Sequence, residues 1–416
     1  MPYRRASTVV HALPMNPRLA DPDPGPDPEP GRDASAATAH EACDIAVIGA
    51  GIAGASFAYW ASGHARVLLL ERESQPGMHS TGRSAAMFME SYGTPQVRAL
   101  TRASRAFLER PPAGFVDDGV RLISPRGALY IGAADRRDAV DELEAALRAE
   151  GASVQRLTAA EACARVPVLR PEAAAHALLD ADACDLDVNA LHQGFLRGAK
   201  ARGASVRCDA EVTSLEPASD GGWRLVAGAR ELRARVVVNA AGAWVDAVAA
   251  LAGLPSIGLQ PRRRSAFTFA PPAGVEIRDW PCVADIDESF YFKPEAGVLL
   301  GSPANADPVP PHDVVPEELD IATGIHRIEQ ATTMTIRRPL RTWAGLRSFV
   351  ASGDLVGDWD VKAPGFFRIA AQGGYGIQTS VAMGAACAAR VLGQPLPGWI
   401  GDAGLGGFDA LSLRGG

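Results

Sequence analysis

The chain has 416 residues, 47% of them hydrophobic and 21% charged, and a formal net charge of -7 at pH 7. Such a chain buries a sizeable core, holds about two domains, and lacks the clustered cations a nucleic-acid binder needs. Its six cysteines lie far apart with no C-x-x-C pair, which excludes a disulfide frame or a zinc site and points to reduced thiols in a cytoplasmic setting; no apolar run approaches the ~20 residues that cross a bilayer.

Arg4-Arg5 is followed by no apolar stretch, so it does not read as an export signal, and Met15 is an alternative start. Residues 21–32 alternate Pro with Asp, Glu and Gly, a composition too poor in apolar surface to offset its ordering entropy. The tail 1–43 is therefore expected to be disordered, and no function is assigned to it. From Asp44 the pattern changes. Ile45-Ala46-Val47-Ile48 reads as a buried parallel strand, and Gly49, Gly51 and Gly54 follow as G-x-G-x-x-G at the start of a helix. The first glycine permits a tight turn, the second lets backbone approach a pyrophosphate, and the third lets the helix sit against the strand. The helix N-terminus then faces phosphate. Val67 to Leu70 forms a second strand, and Glu71 ends it where an acid accepts a ribose hydroxyl.

Residues 77–86 are rich in small and hydroxyl side chains, able to run close over a flat ligand. Residues 95–108 form a helix capped by Thr94 with Pro95 at its first position, 135–150 form a second, and Thr158 with Glu161 makes a capping box for a third. Residues 187–203 are helical and 205–208 a strand; 211–215 and 223–226 are strands joined at Asp220-Gly221-Gly222. Residues 236–244, VVVNAAGAW, repeat the opening pattern of strand, glycine and helix. Short strands at 264–269, 283–285, 290–293 and 298–301 suggest an antiparallel sheet, and 316–333 are mostly helical. A third strand, glycine turn and helix close the chain at 366–371, 372–376 and 377–392. Three such elements far apart imply one extended cofactor reached from several sides, which favours FAD over NAD. The expected architecture is mixed α/β: a Rossmann-like nucleotide domain (44–120, 185–255, 345–400), an inserted antiparallel-sheet substrate domain (121–184, 256–344), and a tail at 401–416.

The motifs GAGIAGAS, STGRSAA, VVNAAGAW and AAQGGYGIQTS, with Glu71, resemble those of the D-amino-acid oxidase and glycine oxidase class of flavoproteins. YGTPQVRALT, RRSAF, DESFYFKP, LLGSPANADP and TWAGLRSF resemble the bacterial D-arginine dehydrogenases within it, and the similarity runs from about Asp44 to about Pro397. The resemblance implies a glutathione-reductase-like fold and a noncovalent FAD. Its contacts would be Gly49, Gly51, Ala53 and Gly54 at the phosphates and Glu71 and Arg72 at the adenosine. Ser80, Thr81, Gly82, Arg83, Ser84, Ala85, Ala86 and Met87 would follow the pyrophosphate and flavin, Val212 the adenine, and Ala241 and Gly242 the second glycine turn. Gly373, Gly374, Tyr375, Gly376, Ile377 and Gln378 would sit by the ring. It also implies oxidation of a D-amino acid to an imino acid by hydride transfer from Cα to flavin N5. Water then gives a 2-oxo acid and ammonia, and electrons pass to an acceptor other than O2.

For that chemistry a carboxylate is the natural handle, and Arg347 can clamp it bidentately, with Arg264 as second charge and Tyr92 and Tyr291 as hydroxyls. Met87, Gly374 and Gln378 complete the expected substrate contacts. Two positions depart from the D-arginine dehydrogenase pattern: Met87 replaces a histidine, and Gly127-Ala128 stand where a glutamate holds the substrate guanidinium. Met87, Met89 and Ala128 then suit apolar D-amino acids, unless Glu90 faces the pocket. His79 and His192 are expected to be structural. A peroxide-forming oxidase, a flavoenzyme for secondary amines or 2-hydroxy acids, and a non-catalytic nucleotide-binding protein remain alternatives. The expected assembly is a monomer or weak dimer, with no metal.

Overall fold

The structure is a computed structural model that describes residues 41–219 and 221–413. The tail expectation for residues 1–40 and the Asp220 turn position lie outside the described residues. The first strand, Glu41–Ile48, is central to an eight-stranded sheet. It pairs in parallel with Val67–Leu70 on one side and Arg230–Asn239 on the other. Ser205–Arg207 and Phe366–Ala370 add parallel neighbours outside these, while Val212–Pro217, Trp223–Ala227 and Val356–Trp359 pair antiparallel. The strand begins at Glu41, in register with Leu232, ahead of the boundary expected at 44.

Parallel strands must be covered on both faces, and near-continuous apolar runs such as Val67–Leu70 reflect this. One face carries the helices Ile52–Ala61, Pro95–Glu109, Val188–Ala201 and Gly376–Val391. Small residues set their spacing: a Cβ on Gly384 would lie 2.6 Å from Ser56 Oγ, and one on Gly198 2.5 Å from the Tyr59 ring. Thr94 Oγ1 accepts from Val97 N at 3.3 Å to cap the second of these, and the Thr158–Glu161 box caps Ala159–Arg165. Residues 401–413 are not a free tail, because Leu405 and Leu411 are buried in this core.

A nine-stranded sheet forms the second layer. Its longest pairing joins Gln260–Phe269 to Arg341–Phe349 over the full length of the latter, so the boundary expected at 344/345 cuts a strand that belongs wholly here. The pairing is antiparallel apart from Cys282–Asp285 against Ala128–Gly132, which run parallel, a mix that the short-strand spacing did not foresee. Alternation decides which side chains face the site. Phe267, Phe269 and Phe292 pack against the helix Glu318–Ala331, and Arg263 reaches Glu317 and Asp320 on that side. Arg264, one residue on, turns the other way. A three-stranded sheet of Met87–Phe88, Cys184–Leu186 and Ile123–Pro125 links the layers. All six cysteines are unpaired, and no described helix is long and apolar enough to cross a membrane.

Candidate active site

Gly49 leaves the first strand at φ +98°, and a Cβ there would lie 2.6 Å from Ala240 O, so the turn admits only glycine. A Cβ on Gly54 would overlap Gly49 O at 1.9 Å; this glycine serves packing of helix on turn. Gly51 begins the helix with no side-chain cap. Ile52 N donates to Thr81 Oγ1 at 3.0 Å, while Ala53 and Gly54 stand in the first turn, where amides lack intrahelical acceptors. The Ala50 peptide is held from both ends. Glu71 Oε2 accepts from Ala50 N at 3.0 Å, and His192 Nε2 donates to Ala50 O at 2.8 Å. Burial holds the His192 pKa below its usual value and keeps a neutral donor.

These groups open onto a cleft of about 480 Å³. Of the expected cofactor residues it is lined by Gly49, Gly51, Ala53, Glu71, Arg72, Ser80, Thr81, Val212, Ala241, Gly242 and Gly373. Glu71 also accepts from Glu73 N at 3.1 Å and keeps lone pairs for a ribose. The sequence reading missed part of the lining. Trp244 stands with the Arg72 guanidinium 4.2 Å from its ring centre and the His79 ring at 4.8 Å. Glu73 joins both partners at 2.8 Å, and the His79 bond, then Arg72, lowers its pKa. Buried Asn239 braces the second glycine turn, donating to Val245 O at 2.8 Å and accepting from Ala241 N at 3.3 Å. Leu346 and Ser348 close the cleft from the second sheet, and Ser80 Oγ donates to Leu346 O at 2.7 Å. VVNAAGAW already contained Asn239 and Trp244; nothing local signals His192, Leu346 or Ser348, which arrive by tertiary packing.

Other expected residues lie elsewhere. Gly82, Ser84 and Ala86 line a polar cavity of about 680 Å³ on the far side of the same loop, while Ala85 and Met87 do not line the cofactor cleft. Arg83 ties that loop to Asp313 and to the carbonyls of Met78, Val314 and Ala344, so its guanidinium is already engaged. Gly376 begins the closing helix and Ile377 is buried in the helical core. Gln378 is 4% exposed, and its amide is taken by Met89 N, Met89 O and Thr101 Oγ1. It holds the chain beside the site and has no free donor to offer a substrate, which corrects its expected place as a contact.

The remaining residues converge. Arg347 projects beneath the closing turn, where a Cβ on Gly374 would meet its guanidinium at 2.7 Å. Arg347 Nη1 donates to Tyr92 OH at 3.4 Å, and the Tyr92 ring stands 5.1 Å from Tyr375. Arg264 donates Nε to Asn305 O at 2.6 Å. Burial and then repulsion by Arg347 lower the Arg264 pKa, with Tyr291, Tyr92 and Glu288 opposing. Burial also works against the charge on Arg347, but the hydroxyls of Tyr92 and Tyr291 outweigh it and the pKa rises. Neither guanidinium has an ion pair with a carboxylate among the described residues. Met87 and Tyr92 pack against a buried cluster containing Met89, Ala128 and Tyr130. Glu90 turns away and pairs with Arg105.

Residues 44–390 match the DAO family of FAD-dependent oxidoreductases. The chain belongs to this family. Family members depend on FAD, and the glycine cradle, open helix terminus and terminal acid fit that cofactor. Among curated relatives, FAD-dependent oxidoreductase domain-containing protein 1 of Bos taurus is 25% identical over 406 residues, 85% of this chain and 82% of that protein. Mitochondrial dimethylglycine dehydrogenase of Mus musculus is 33% identical over 120 residues, 28% of this chain and only 14% of that much longer relative. Among solved structures, L-proline dehydrogenase from P. horikoshii superposes with a TM-score of 0.75 at 19% identity, covering 86% of this chain and 96% of that one. Glycine oxidase from Geobacillus kaustophilus gives 0.72 at 23%, covering 85% and 95%. Iminodiacetate oxidase from Chelativorans sp. BNC1 gives 0.71 at 23%, covering 85% and 96%. At these identities the superpositions establish the DAO fold.

Proposed function

We propose that this DAO-family protein oxidises a D-amino acid at Cα, in the manner of the D-arginine dehydrogenases it resembles, and passes electrons to an acceptor other than O2. One observation carries the reading. Arg264 feels the repulsion of Arg347, with Tyr291, Tyr92 and Glu288 opposing, and neither guanidinium has a carboxylate ion pair among the described residues. A bound anion relieves that repulsion, and a planar carboxylate matches a guanidinium bidentately. The names glycine oxidase, L-proline dehydrogenase and iminodiacetate oxidase all denote small amino or imino acids that carry such a group.

In this reading Arg347 and Arg264 bind the substrate carboxylate, and Tyr92 and Tyr291 orient it. Tyr375 walls the site beside Tyr92, and Met87 with the Met89–Ala128–Tyr130 cluster receives the side chain. Residues lining the glycine cleft hold FAD, which when bound supplies the acceptor for a hydride from Cα. Fixing the carboxylate at two guanidiniums orients Cα, the main contribution these residues make. Water then hydrolyses the released imino acid to a 2-oxo acid and ammonia.

Anaerobic bleaching of the flavin by a panel of D- and L-amino acids tests the reading. Reduction by D-amino acids that Arg347→Ala abolishes without loss of FAD supports it; indifference to every amino acid sinks it. Peroxide formed under air would make the enzyme an oxidase. The segment similar to dimethylglycine dehydrogenase favours a second reading, oxidation of an N-methylated amino acid on the same clamp, so N,N-dimethylglycine and N-methylglycine belong in the panel.

A further inference from the structure

Beside the carboxylate clamp lies a buried acid that the clamp does not use. Asp180 ends the strand His176–Asp180 and is 6% exposed. Its Oδ2 accepts from Ser91 Oγ at 2.6 Å and its Oδ1 from Asp182 N at 3.1 Å. The Ser91 proton is committed to Asp180, so Tyr130 OH donates to Ser91 Oγ at 3.1 Å. No cation pairs with Asp180 among the described residues; the charged neighbours that act on it are Asp182 and Glu90, both acids.

Burying a carboxylate among neutral donors is costly, and a neutral acceptor would hold the Asp182 amide without that penalty. What the charge adds is a stronger, shorter bond to Ser91. Ser91 immediately precedes Tyr92, whose hydroxyl meets Arg347. Each residue before Tyr92 is tied to a different element. Met87–Phe88 pairs with Cys184–Leu186, Gln378 grips the Met89 backbone from the closing helix, and Glu90 pairs with Arg105 on Pro95–Glu109. Ser91 is held from the second sheet by Asp180. Tyr92 N donates to Met89 O at 3.3 Å and closes the turn. The bracket leaves the Tyr92 side chain as the part that reaches into the site.

We propose that Asp180 is a positioning residue of the clamp, fixing the 89–92 turn through Ser91 so that the Tyr92 hydroxyl stays against Arg347. The inference rests on Arg347 holding a substrate carboxylate. It is separable from a purely local role for Asp180 in the 180–182 turn, because Ser91→Ala breaks the link and leaves that turn alone.

The test titrates FAD-loaded enzyme with butyrate, a carboxylate probe that lacks the amine, followed by the flavin spectrum, in wild type, S91A, D180N, Y92F and S91A/Y92F. Loss of one positioned hydrogen bond corresponds to about a tenfold rise in dissociation constant for S91A. FAD occupancy should stay near wild type. In the Y92F background the same change should add less than about twofold, the non-additivity of residues acting in series. D180N, which keeps an acceptor oxygen, should fall between wild type and S91A. A full tenfold effect of S91A in the Y92F background, or none in wild-type background, overturns the proposal while the clamp stands. An unaltered butyrate affinity in R347A overturns the clamp itself, and Asp180's role with it. Should D180N fail to fold, the S91A and Y92F cycle decides alone.

Discussion

Gly374→Ala probes the clamp through its roof. Gly374 is exposed and its φ lies outside the left-handed region, so the backbone accepts a methyl group. The new Cβ would stand 2.7 Å from Arg347 Cζ and Nη1 and 2.9 Å from Nε, where ordinary contact begins at 3.4 Å. Gly374 sits on a turn and the guanidinium on a flexible stem, so the guanidinium gives way by roughly 0.7 Å. That displacement breaks bidentate alignment with a carboxylate. Hydrogen bonds to charged groups contribute about 1.5–3 kcal/mol, so losing one raises the substrate dissociation constant about tenfold to hundredfold. The assay is anaerobic stopped-flow reduction across substrate concentrations, which separates binding from the limiting rate. FAD content should be unchanged, because Gly374 does not line the cofactor cleft. Gly373→Ala is the contrast. It lines the cleft at φ +52° with Phe349 Cε1 at 2.7 Å from a new Cβ, and should lose FAD. Wild-type substrate binding by G374A, or FAD loss matching G373A, would refute the placement of Arg347.

Three further outcomes follow from particular groups. Burial depresses the His192 pKa, so the unfolded chain takes a proton near 6.5 while the folded chain resists, and stability falls as pH drops through that value. His192→Gln keeps a donor for Ala50 O and should flatten flavin release below about pH 6.5, followed by flavin fluorescence. Burial raises the Asp180 pKa above 3.8, so the folded state binds the proton more tightly and a penalty grows as pH climbs past that value. The melting temperature of D180N relative to wild type should therefore improve between about pH 4 and 7, and parallel curves would contradict the burial argument. Arg83→Ala removes bonds to three carbonyls and to an exposed Asp313; the carbonyls matter more, since the ion pair faces solvent. It should speed FAD dissociation several-fold at unchanged substrate affinity.

The cofactor half of the molecule was legible because its signals are local. Gly49, Gly51 and Glu71 sit within one βαβ unit, and each glycine has a backbone reason to be there. The short strands 128–132, 154–157, 176–180 and 184–186 went unread. Ala128–Gly132 and His176–Asp180 are apolar pieces with no turn signature that separates strand from buried helix, and their partners lie far along the chain. The expected ligand contacts whose polar groups are engaged within the protein share one trait. Gln378 and Arg83 adjoin glycine or hydroxyl motifs, yet their polar groups meet distant carbonyls, amides and hydroxyls, which no spacing rule reports. His192 was expected to be structural, and its bond to the Ala50 carbonyl makes it a support for the phosphate turn.

Substrate preference is where the two levels meet. The resemblance alone leaves open whether Glu90 replaces the missing acid, and its pairing with Arg105 removes that route. Asp180 lies directly across the strand pair from Ala128, close to where a guanidinium would need a partner. Its oxygens, however, already accept from Ser91 and Asp182, and Tyr130 and Met89 are buried around it. A cationic side chain entering this cluster would lose its water and meet only a carboxylate already shared by Ser91 and Asp182, so its desolvation is incompletely offset, a penalty of several kcal/mol. D-leucine and D-methionine should therefore reduce the flavin more efficiently than D-arginine and D-lysine, by about a hundredfold or more in kcat/KM. The measurement is the reduction rate against concentration for all four. If D-arginine wins, the remaining lone pairs of Asp180 receive the guanidinium, and D180N should then weaken D-arginine more than D-leucine, the opposite of what an apolar pocket requires.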